Sequence, residues 1–530
     1  MKAEALEAGN SQLEGVVRLP SAAGNTVRWR AIVPWLLKAS SLLYVLSRFV
    51  PCQPLRHVGL IEESYIPTLH QAFLQHWQFG RDIIFTFGPW GFLYGGFHPS
   101  TYPISVAVWA TVAIIFWSAA WRVARAGFDS DVGAWVWVLG FTALADVTIF
   151  LNLDSRLIGL LLLLLLNRFG PKASRSSITE FSLIAAVALL SLIKFSMLIT
   201  AGVVLLVMGA DVIFRSRRFP WIWICYGLGL LIFWVLAGQQ MNSILPFIRA
   251  SCLIAGGYTD GMSLEISDDL KDVWWFAGLT VLLTVTAGYA QWRHNRFWGL
   301  LPVGALVFLG FSAFKYGYVR HDGHEVAAAM QLSLIALMIL AMAWRLVPGK
   351  GIHGLLVLLL PIVLVLCFTM ATFNHYAETG FFSAIFNTFG ARSLSAPFRL
   401  FYGNGERVKA RDDFFAAVRQ HLPLPRLDGT ADEYSCHQIA VFANGLQYHP
   451  RPVIQSYSAY TPALAELNAA SLRAGGPDYV VFEPQPIDNH FPALEDGACW
   501  PELLAGYDIA VSHTNGLLIL KRAPLRRTHR

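Results

Sequence analysis

The sequence predicts a polytopic α-helical membrane protein of about eleven spans with a C-terminal soluble α/β domain. Three observations carry this. Of the 530 residues, 55% are hydrophobic and only 14% are charged, against roughly 25% charged in a soluble domain. The deficit is uneven: apolar blocks recur from Ala31 to Ala371, whereas Phe373 to Arg530 has the composition of an ordinary soluble domain. The blocks also have the length that a bilayer demands, roughly 20 mainly apolar residues.

Residues 1–30 read as a cytoplasmic segment. The spans then run Ala31–Val50, Ile104–Trp121, Val132–Leu151, Leu157–Leu166, Ile178–Ile193, Phe195–Phe214, Trp221–Gly238, Val273–Ala290, Phe297–Phe314, Val326–Trp344 and Ile352–Ala371. Ala31–Val50 lacks a small-residue cleavage site and reads as an uncleaved anchor. The fourth block is short unless it recruits residues before Leu157. The fifth and sixth are divided only by Lys194 and its neighbours. The Leu160–Leu166 run reads as lipid-facing helix. No internal repeat is visible.

Lys and Arg orient the spans. One set of loops holds Arg28 and Arg30, Arg122 and Arg125, Arg168, Lys172 and Arg175, Arg215, Arg217 and Arg218, Arg293 and Arg296, and Arg345 and Lys350. The alternate loops are poorer in both residues. The first set is therefore cytoplasmic, and an odd span count places residues 372–530 outside a bacterial inner (plasma) membrane, as a periplasmic or extracellular domain. The net charge of +6 follows from these loops. It does not indicate nucleic acid, because the basic residues form no stripe and are not interleaved with exposed aromatics. The 18 Trp suit membrane interfaces. The six cysteines have no metal-type spacing. Cys225 and Cys367 fall in spans, and Cys436 and Cys499 could pair in an outside domain.

The outer loops 51–103, 239–272 and 315–325 are long and chemically mixed, which places function on the outer face. The first begins with Glu62-Glu63. Tyr65, Leu69, Ala72, Phe73 and His76 then recur at helical spacing, as in an amphipathic helix lying on the membrane surface. Arg81-Asp82 and the turn Gly88-Pro89-Trp90-Gly91 follow. The Glu pair reads equally well as solvated loop charge.

Cations lie on the same face. Lys194 sits between apolar segments, costly at mid-membrane, or marks an outer turn with a snorkelling stem. The 315–325 loop collects Lys315, Tyr316, Tyr318, Arg320, His321, Asp322, His324 and Glu325. Its Arg and Lys suit a phosphate, and its Tyr rings suit a sugar. His321 and His324 with Asp322 suggest a metal site instead, but His-Asp-x-His is not a zinc signature and no further ligand is obvious. Asn152, Asp154 and Arg156 form a smaller cluster in which Asp154 and Arg156 can neutralise each other, and Asp146 can face the cavity. Asp260, Glu265, Asp268 and Asp269 lie in the 239–272 loop, which is long enough for surface helices.

The order of features in the first loop resembles the GT-C class of integral membrane glycosyltransferases. These carry an acidic pair early in that loop, an amphipathic helix, a Gly-x-x-Tyr-x-Asp-like element and a Pro-containing turn. Glu62-Glu63, the helix through His76, Gly80-Arg81-Asp82 and Phe87-Gly88-Pro89 stand in the same series. The family's leading acid is usually Asp and both are Glu here, which leaves the base among Glu62, Glu63 and Asp82. A comparable lysine recurs between the fifth and sixth spans of similar enzymes.

The resemblance implies sugar transfer from a polyprenyl-phosphate donor to a lipid, glycan or protein acceptor. An acid accepts the acceptor's proton, and cations stabilise the departing phosphate. The expected phosphate ligands are Lys194, Lys315, Arg320 and His321. Tyr65, Arg81, Asp154, Tyr318 and His324 are expected to contact substrate. No cofactor is implied, and a divalent cation stays open. One cavity should hold Lys194 and Arg320 with Glu62, Glu63 or Asp82. A transporter or flippase of a lipid-linked saccharide, and a polysaccharide polymerase or ligase, are the alternatives.

In the C-terminal domain, Asp412–His421 and Leu464–Arg473 read as helices. Pro477–Pro484 reads as a buried strand, and Asp508–Lys521 as a hairpin about Asn515-Gly516. The Tyr- and Ser-rich stretch RPVIQSYSAYTPAL suits carbohydrate or an ordinary loop. No GxSxG, phosphate loop or Cys–His arrangement appears, so this domain is expected to be accessory.

Overall fold

The computed structural model describes residues 23–52, 60–146, 153–170, 176–264, 270–295, 300–344, 352–377, 379–390, 394–484, 487, 490–512 and 517–527. Fourteen helices precede the C-terminal domain. They are α1 (Ala23–Phe49), α2 (Leu60–Leu74), α3 (Tyr102–Gly127), α4 (Asp131–Ala145), α5 (Asp154–Phe169), α6 (Ser177–Ser191), α7 (Phe195–Ser216), α8 (Trp221–Leu236), α9 (Ile244–Met262), α10 (Lys271–Asn295), α11 (Leu300–Tyr318), α12 (His324–Ala343), α13 (Ile352–Tyr376) and α14 (Phe381–Thr388).

Where the residues are described, each predicted apolar block falls on one of these helices; 147–151 of the third block and 297–299 of the ninth lie outside the described residues. Seven are long and apolar enough to cross a membrane: α1, α3, α7, α10, α11, α12 and α13. An eighth span arises if α8 and Met241–Met262, which meet at a bend of 111°, count together. The remaining blocks give shorter helices, α4 and α6 of 15 residues and α5 of 16.

Alanine and other small residues explain the middle of the bundle. Ala328, Ala329, Ser333 and Ala336 let neighbouring helices approach α12 closely, and nearly the whole helix is buried. The Leu160–Leu166 run does not face lipid. All seven leucines are buried, because α5 is apolar around its circumference and such a helix belongs inside. The lipid-type surface lies elsewhere. Leu228, Ile232 and Val235 on α8, Val281 and Val285 on α10, and Leu356, Leu360 and Val363 on α13 are exposed rows of apolar side chains. In water, apolar rows of this extent would drive aggregation.

The first loop folds between the bundle and the C-terminal domain. Helix α2 ends before His76, which takes a left-handed φ of 54°. The helix does not lie open at a surface: Glu63, Ser64, Tyr65, Ile66, Thr68, Leu69, His70 and Ala72 are all buried. The C-terminal domain covers it, with Ile439 N–H donating to Ser64 Oγ at 3.3 Å.

A tight turn follows at Gly80, with φ of 87°. A Cβ there would stand 2.2 Å from the Phe247 backbone nitrogen on α9. Gly80→Ala therefore meets both a strained φ and a clash with backbone. It should destabilise the first loop by roughly 1–3 kcal/mol, seen as faster proteolysis between residues 75 and 90 of the purified protein. Unchanged protection would show that the loop is not anchored on α9.

The C-terminal domain is a five-stranded sheet of order β2-β1-β3-β5-β4. Its strands are β1 (Thr430–Tyr434), β2 (Gln447–Tyr448), β3 (Tyr479–Phe482), β4 (Tyr507–Ser512) and β5 (Leu518–Arg522). β1 is parallel to both β2 and β3, and β5 runs antiparallel to β3 and β4. The predicted strand is β3, the predicted hairpin is β4–β5, and the predicted helices extend to Gly405–His421 and Pro462–Gly475. The Asn515-Gly516 turn lies outside the described residues. Cys436 and Cys499 are buried free thiols; Cys499 instead donates to Asp496 Oδ2 at 3.2 Å.

Strand β1 escaped the sequence reading because its centre is Asp432-Glu433, and both are fully buried. Arg451, itself buried, makes this tolerable. Its Nε donates to Asp432 Oδ2 at 2.8 Å and its Nη1 to Asp496 Oδ2 at 3.0 Å. Its Nη2 donates to the Glu433 carbonyl at 2.9 Å, and the guanidinium stacks over Tyr434.

Candidate functional site

Residues from four parts of the chain meet at the end of the bundle that bears the C-terminal domain. Lys194 occupies the turn between α6 and α7. This turn is held by a short antiparallel pairing with the first loop, in which Gly88 N–H donates to the Ile193 carbonyl at 2.8 Å and Phe195 N–H to the Thr86 carbonyl at 3.2 Å. A Cβ at Gly88 would lie 2.5 Å from the Leu192 carbonyl oxygen, so the close pairing needs glycine there.

The Lys194 ammonium lies 3.1 Å from Asp154 Oδ2, at the first turn of α5. It also lies 5.7 Å from the Tyr94 ring centroid and 5.2 Å from that of Tyr316, within cation–π range. Tyr94 and Tyr316 hydrogen-bond to each other. Burial, with Tyr316 and Asp154 adding to it, raises the Tyr94 phenol well above its ordinary value, so its hydroxyl stays protonated as a donor. Tyr65 reaches in from α2, its ring 5.3 Å from that of Phe87.

The network continues through the 315–325 loop. The Tyr316 ring lies 5.3 Å from that of His324. His324 Nδ1 is 2.5 Å from Asp322 Oδ1, and Arg320 Nε donates to Asp322 Oδ2 at 2.9 Å. Burial alone would raise the Asp322 carboxyl, but His324 and then Arg320 outweigh it and hold it well below the usual carboxylate range. Contacts thus run from Asp154 through Lys194, Tyr316, His324 and Asp322 to Arg320.

Several predicted residues stand apart from this group. His321, at a left-handed φ of 51°, turns to Glu325 Oε1 at 3.0 Å. Tyr318 packs against Phe276 and Phe314, because its position on α11 directs it toward α10. Lys315 is exposed on α11. Arg81 and Asp82 shape the turn: Gln78 N–H donates to Asp82 Oδ2 at 2.8 Å, and Arg81 Nη2 donates to the Asn242 carbonyl at 3.0 Å.

Glu63 lines a separate cavity with Ile66, Pro67, His70, Gln71 and Leu74. This is one helical face of α2, whereas Tyr65, Leu69 and Ala72 occupy another. Glu63 and Lys194 are therefore not brought into one cavity. The Glu62 side chain, Asn152, Glu265, Asp268 and Asp269 lie outside the described residues.

Asp154 and Arg156 do not neutralise each other, since they point from successive faces of α5. Arg156 Nε donates to Asp146 Oδ1 at 2.8 Å, and Arg48 Nη2 lies 2.9 Å from Asp146 Oδ2. Asp146 is therefore a buried tie between α1, α4 and α5, away from Lys194. No three His, Cys, Asp or Glu side chains converge as a metal-binding group among the described residues. Tyr94 was missed in the sequence because an aromatic in FGPWGFLYGG looks like ordinary packing until Lys194 is placed beside it.

The RPVIQSYSAYTPAL stretch forms the underside of the C-terminal domain. Ile84 N–H donates to the Pro452 carbonyl at 2.6 Å, and the Tyr460 ring lies 6.0 Å from that of Tyr258 on α9. A Cβ at Gly261 would stand 2.3 Å from Tyr460 Cδ1, so the glycine gives that ring room. No known family matches the chain, and no curated protein matches it in sequence.

Proposed function

We propose that this chain is an integral membrane glycosyltransferase of about eleven spans, resembling the GT-C class. It moves a sugar from a polyprenyl-phosphate donor to an acceptor at the outer face of a bacterial inner membrane. The observation that carries the reading is the Lys194 group. A lysine and, by way of the Tyr316 ring, His324 and Asp322, an arginine are joined in one chain of contacts beside the Tyr94–Tyr316 hydroxyl pair, at the end of a bundle whose flanks are apolar. Such a network suits a charged headgroup on a lipid tail. The cations meet the phosphate, the tyrosine rings meet the sugar, and the tail lies along apolar helices.

Chemistry then needs one base. The acceptor hydroxyl oxygen bonds to the anomeric carbon as the bond from that carbon to the phosphate oxygen breaks. The acceptor's proton goes to a carboxylate. The phosphate leaves as polyprenyl phosphate, its added charge met by Lys194, Arg320 and the Tyr94 hydroxyl. Glu62 is the acid we assign as base, as the remaining one of the three that the resemblance offers. Glu63 lines another cavity, and Asp82 is tied into its turn.

The second reading is a transporter of the same lipid-linked saccharide. The 111° bend between α8 and Met241–Met262 favours it, because broken spans recur at transport sites.

Proteoliposomes carrying a panel of radiolabelled polyprenyl-phosphate sugars test the reading. Donor consumption should fall by about 10²–10⁴-fold in Glu62→Gln and stay within a few-fold of wild type in Asp82→Asn. Equal consumption by wild type and Glu62→Gln would remove the base assignment. No consumption of any donor would remove the transferase.

A further inference from the structure

A cavity of about 390 Å³ lies on the far side of α2 from Tyr65. This volume falls within the roughly 300–1,000 Å³ of small-molecule sites. Two helices face each other across it. From α2 come Glu63, Ile66, His70 and Leu74, and from the Gly405–His421 helix come Arg407, Arg411, Phe414 and Phe415. The spacing of 407, 411, 414 and 415 presents one helical face. Pro51, just past α1, and Tyr102, at the start of α3, complete the wall. The cavity therefore sits where two spans leave the bundle.

Arg407 is the unusual feature. It is only 6% exposed. Its Nη groups donate to the carbonyls of Gly403 and Cys52, and its guanidinium stacks 4.6 Å over the Tyr102 ring. Its Nε has no hydrogen-bond partner, and no carboxylate pairs with it, among the described residues. A buried guanidinium without an anion is costly. Arg411 lies one turn on, more exposed than Arg407, and its Nε and Nη2 donate to the half-exposed Asp412 Oδ1 at 3.0 and 2.7 Å, a surface pair that an incoming phosphate would have to share. Arg411 is close enough to His98, another wall residue, to lower the imidazole pKa below its ordinary value, adding to the effect of burial. Most of the remaining wall is apolar and aromatic, with Glu63, His70, Gln71 and Gln75 as its polar members.

We infer that this cavity binds the phosphate headgroup of a membrane lipid, with the phosphate on Arg407 and Arg411 and the first part of the tail against Leu74, Phe414 and Phe415. Glu63, the acid of the wall, then accepts from a headgroup hydroxyl. Phe97 and Tyr102, packed edge to face at 5.3 Å, are aromatic residues of the kind that membrane interfaces favour. The inference rests on α1 and α3 being membrane spans and not on the transfer chemistry, so either can fail without the other.

The test uses the full-length protein in detergent with dihexanoyl phosphatidylglycerol as probe. Dihexanoyl phosphatidylcholine and inorganic phosphate are the comparisons. Wild type should bind the glycerol lipid saturably and melt at a higher temperature with it. Arg411→Gln should weaken binding by roughly tenfold or more. Leu74→Trp, which fills the apolar end without touching the arginines, should weaken it similarly. Arg407→Gln should do the same, but Arg407 also holds the Cys52 carbonyl, so Arg411→Gln and Leu74→Trp decide.

Unaltered affinity in both deciding variants, or no saturable binding by wild type, would overturn the site. Inorganic phosphate binding as tightly as the lipid would assign the arginines to a free anion, and phosphatidylcholine binding equally would remove the role of the charge. Either result would overturn the proposal. Failure of donor consumption alone would leave this binding intact and count only against the transferase.

Discussion

Lys194→Met is expected to lower kcat/KM for sugar transfer by about 10²–10³-fold, the effect of removing one donor aimed at developing charge. The reasoning starts from position. A lysine at a turn between spans would normally extend to water, yet this one is only 18% exposed and is held between Asp154 and three aromatic rings. That placement has a use if an anion arrives and shares the ammonium with Asp154. Lys194→Arg should recover part of the activity, since it keeps the charge with a different shape. Lys194→Met also leaves Asp154 without its cation. The double variant with Asp154→Asn separates the two effects: it should restore any lost stability and leave transfer low. A double variant with normal transfer would show that Lys194 is only a structural partner of Asp154.

Arg451→Met should cost the C-terminal domain about 3–5 kcal/mol, as breaking a buried ion pair on one side generally does. Asp432 and Asp496 would both lose their cation in a site where neither is exposed. The sign of the pH dependence follows. Burial raises both carboxyls above their ordinary value of 3.8, and Arg451 opposes it. Without Arg451 they rise further, and the folded domain holds protons that the unfolded chain releases. Stability is then greatest below the unfolded-state value and is lost as pH rises through the raised folded-state values. The defect should be mildest in acid. Hydrogen exchange of the β1 and β3 amides in the full-length protein reads this directly. Undiminished protection at neutral pH would mean that the domain does not depend on the pair.

The helices that a reader of sequence finds most easily are those whose cause is local. Apolar blocks of span length gave α1, α3, α7, α10, α11, α12 and α13, because bilayer thickness and helix rise act on consecutive residues. What each helix faces is not local. The leucines of α5 look suited to lipid, yet α12 and its neighbours enclose them. Strand β1 is hidden for the same reason. Asp432 looks like a surface residue until Arg451, 19 positions later, pairs with it.

The candidate site divides in the same way. Lys194, Asp154, Arg320 and His324 stand out as polar residues in an apolar chain. Their pairing does not: Lys194 and Asp154 are 40 positions apart. Tyr65 opens the amphipathic row and Glu63 belongs to the acidic pair just before it, and only the structure shows that they lie on different faces of α2. Arg81 and Asp82 resemble site residues by motif, whereas the turn at Gly80 uses them to hold the loop on its neighbours.

Translocation needs two leaflets and sugar transfer does not, so the most direct test removes the bilayer. Full-length protein in detergent micelles would be given the radiolabelled polyprenyl-phosphate sugar that proteoliposomes take up, with an extract of envelope acceptors, beside Lys194→Met. Transfer predicts labelled acceptor and free polyprenyl phosphate in equal amounts from wild type, and little of either from the variant. Donor that stays intact in detergent, while its label crosses the bilayer in proteoliposomes, would contradict the transferase and identify a transporter.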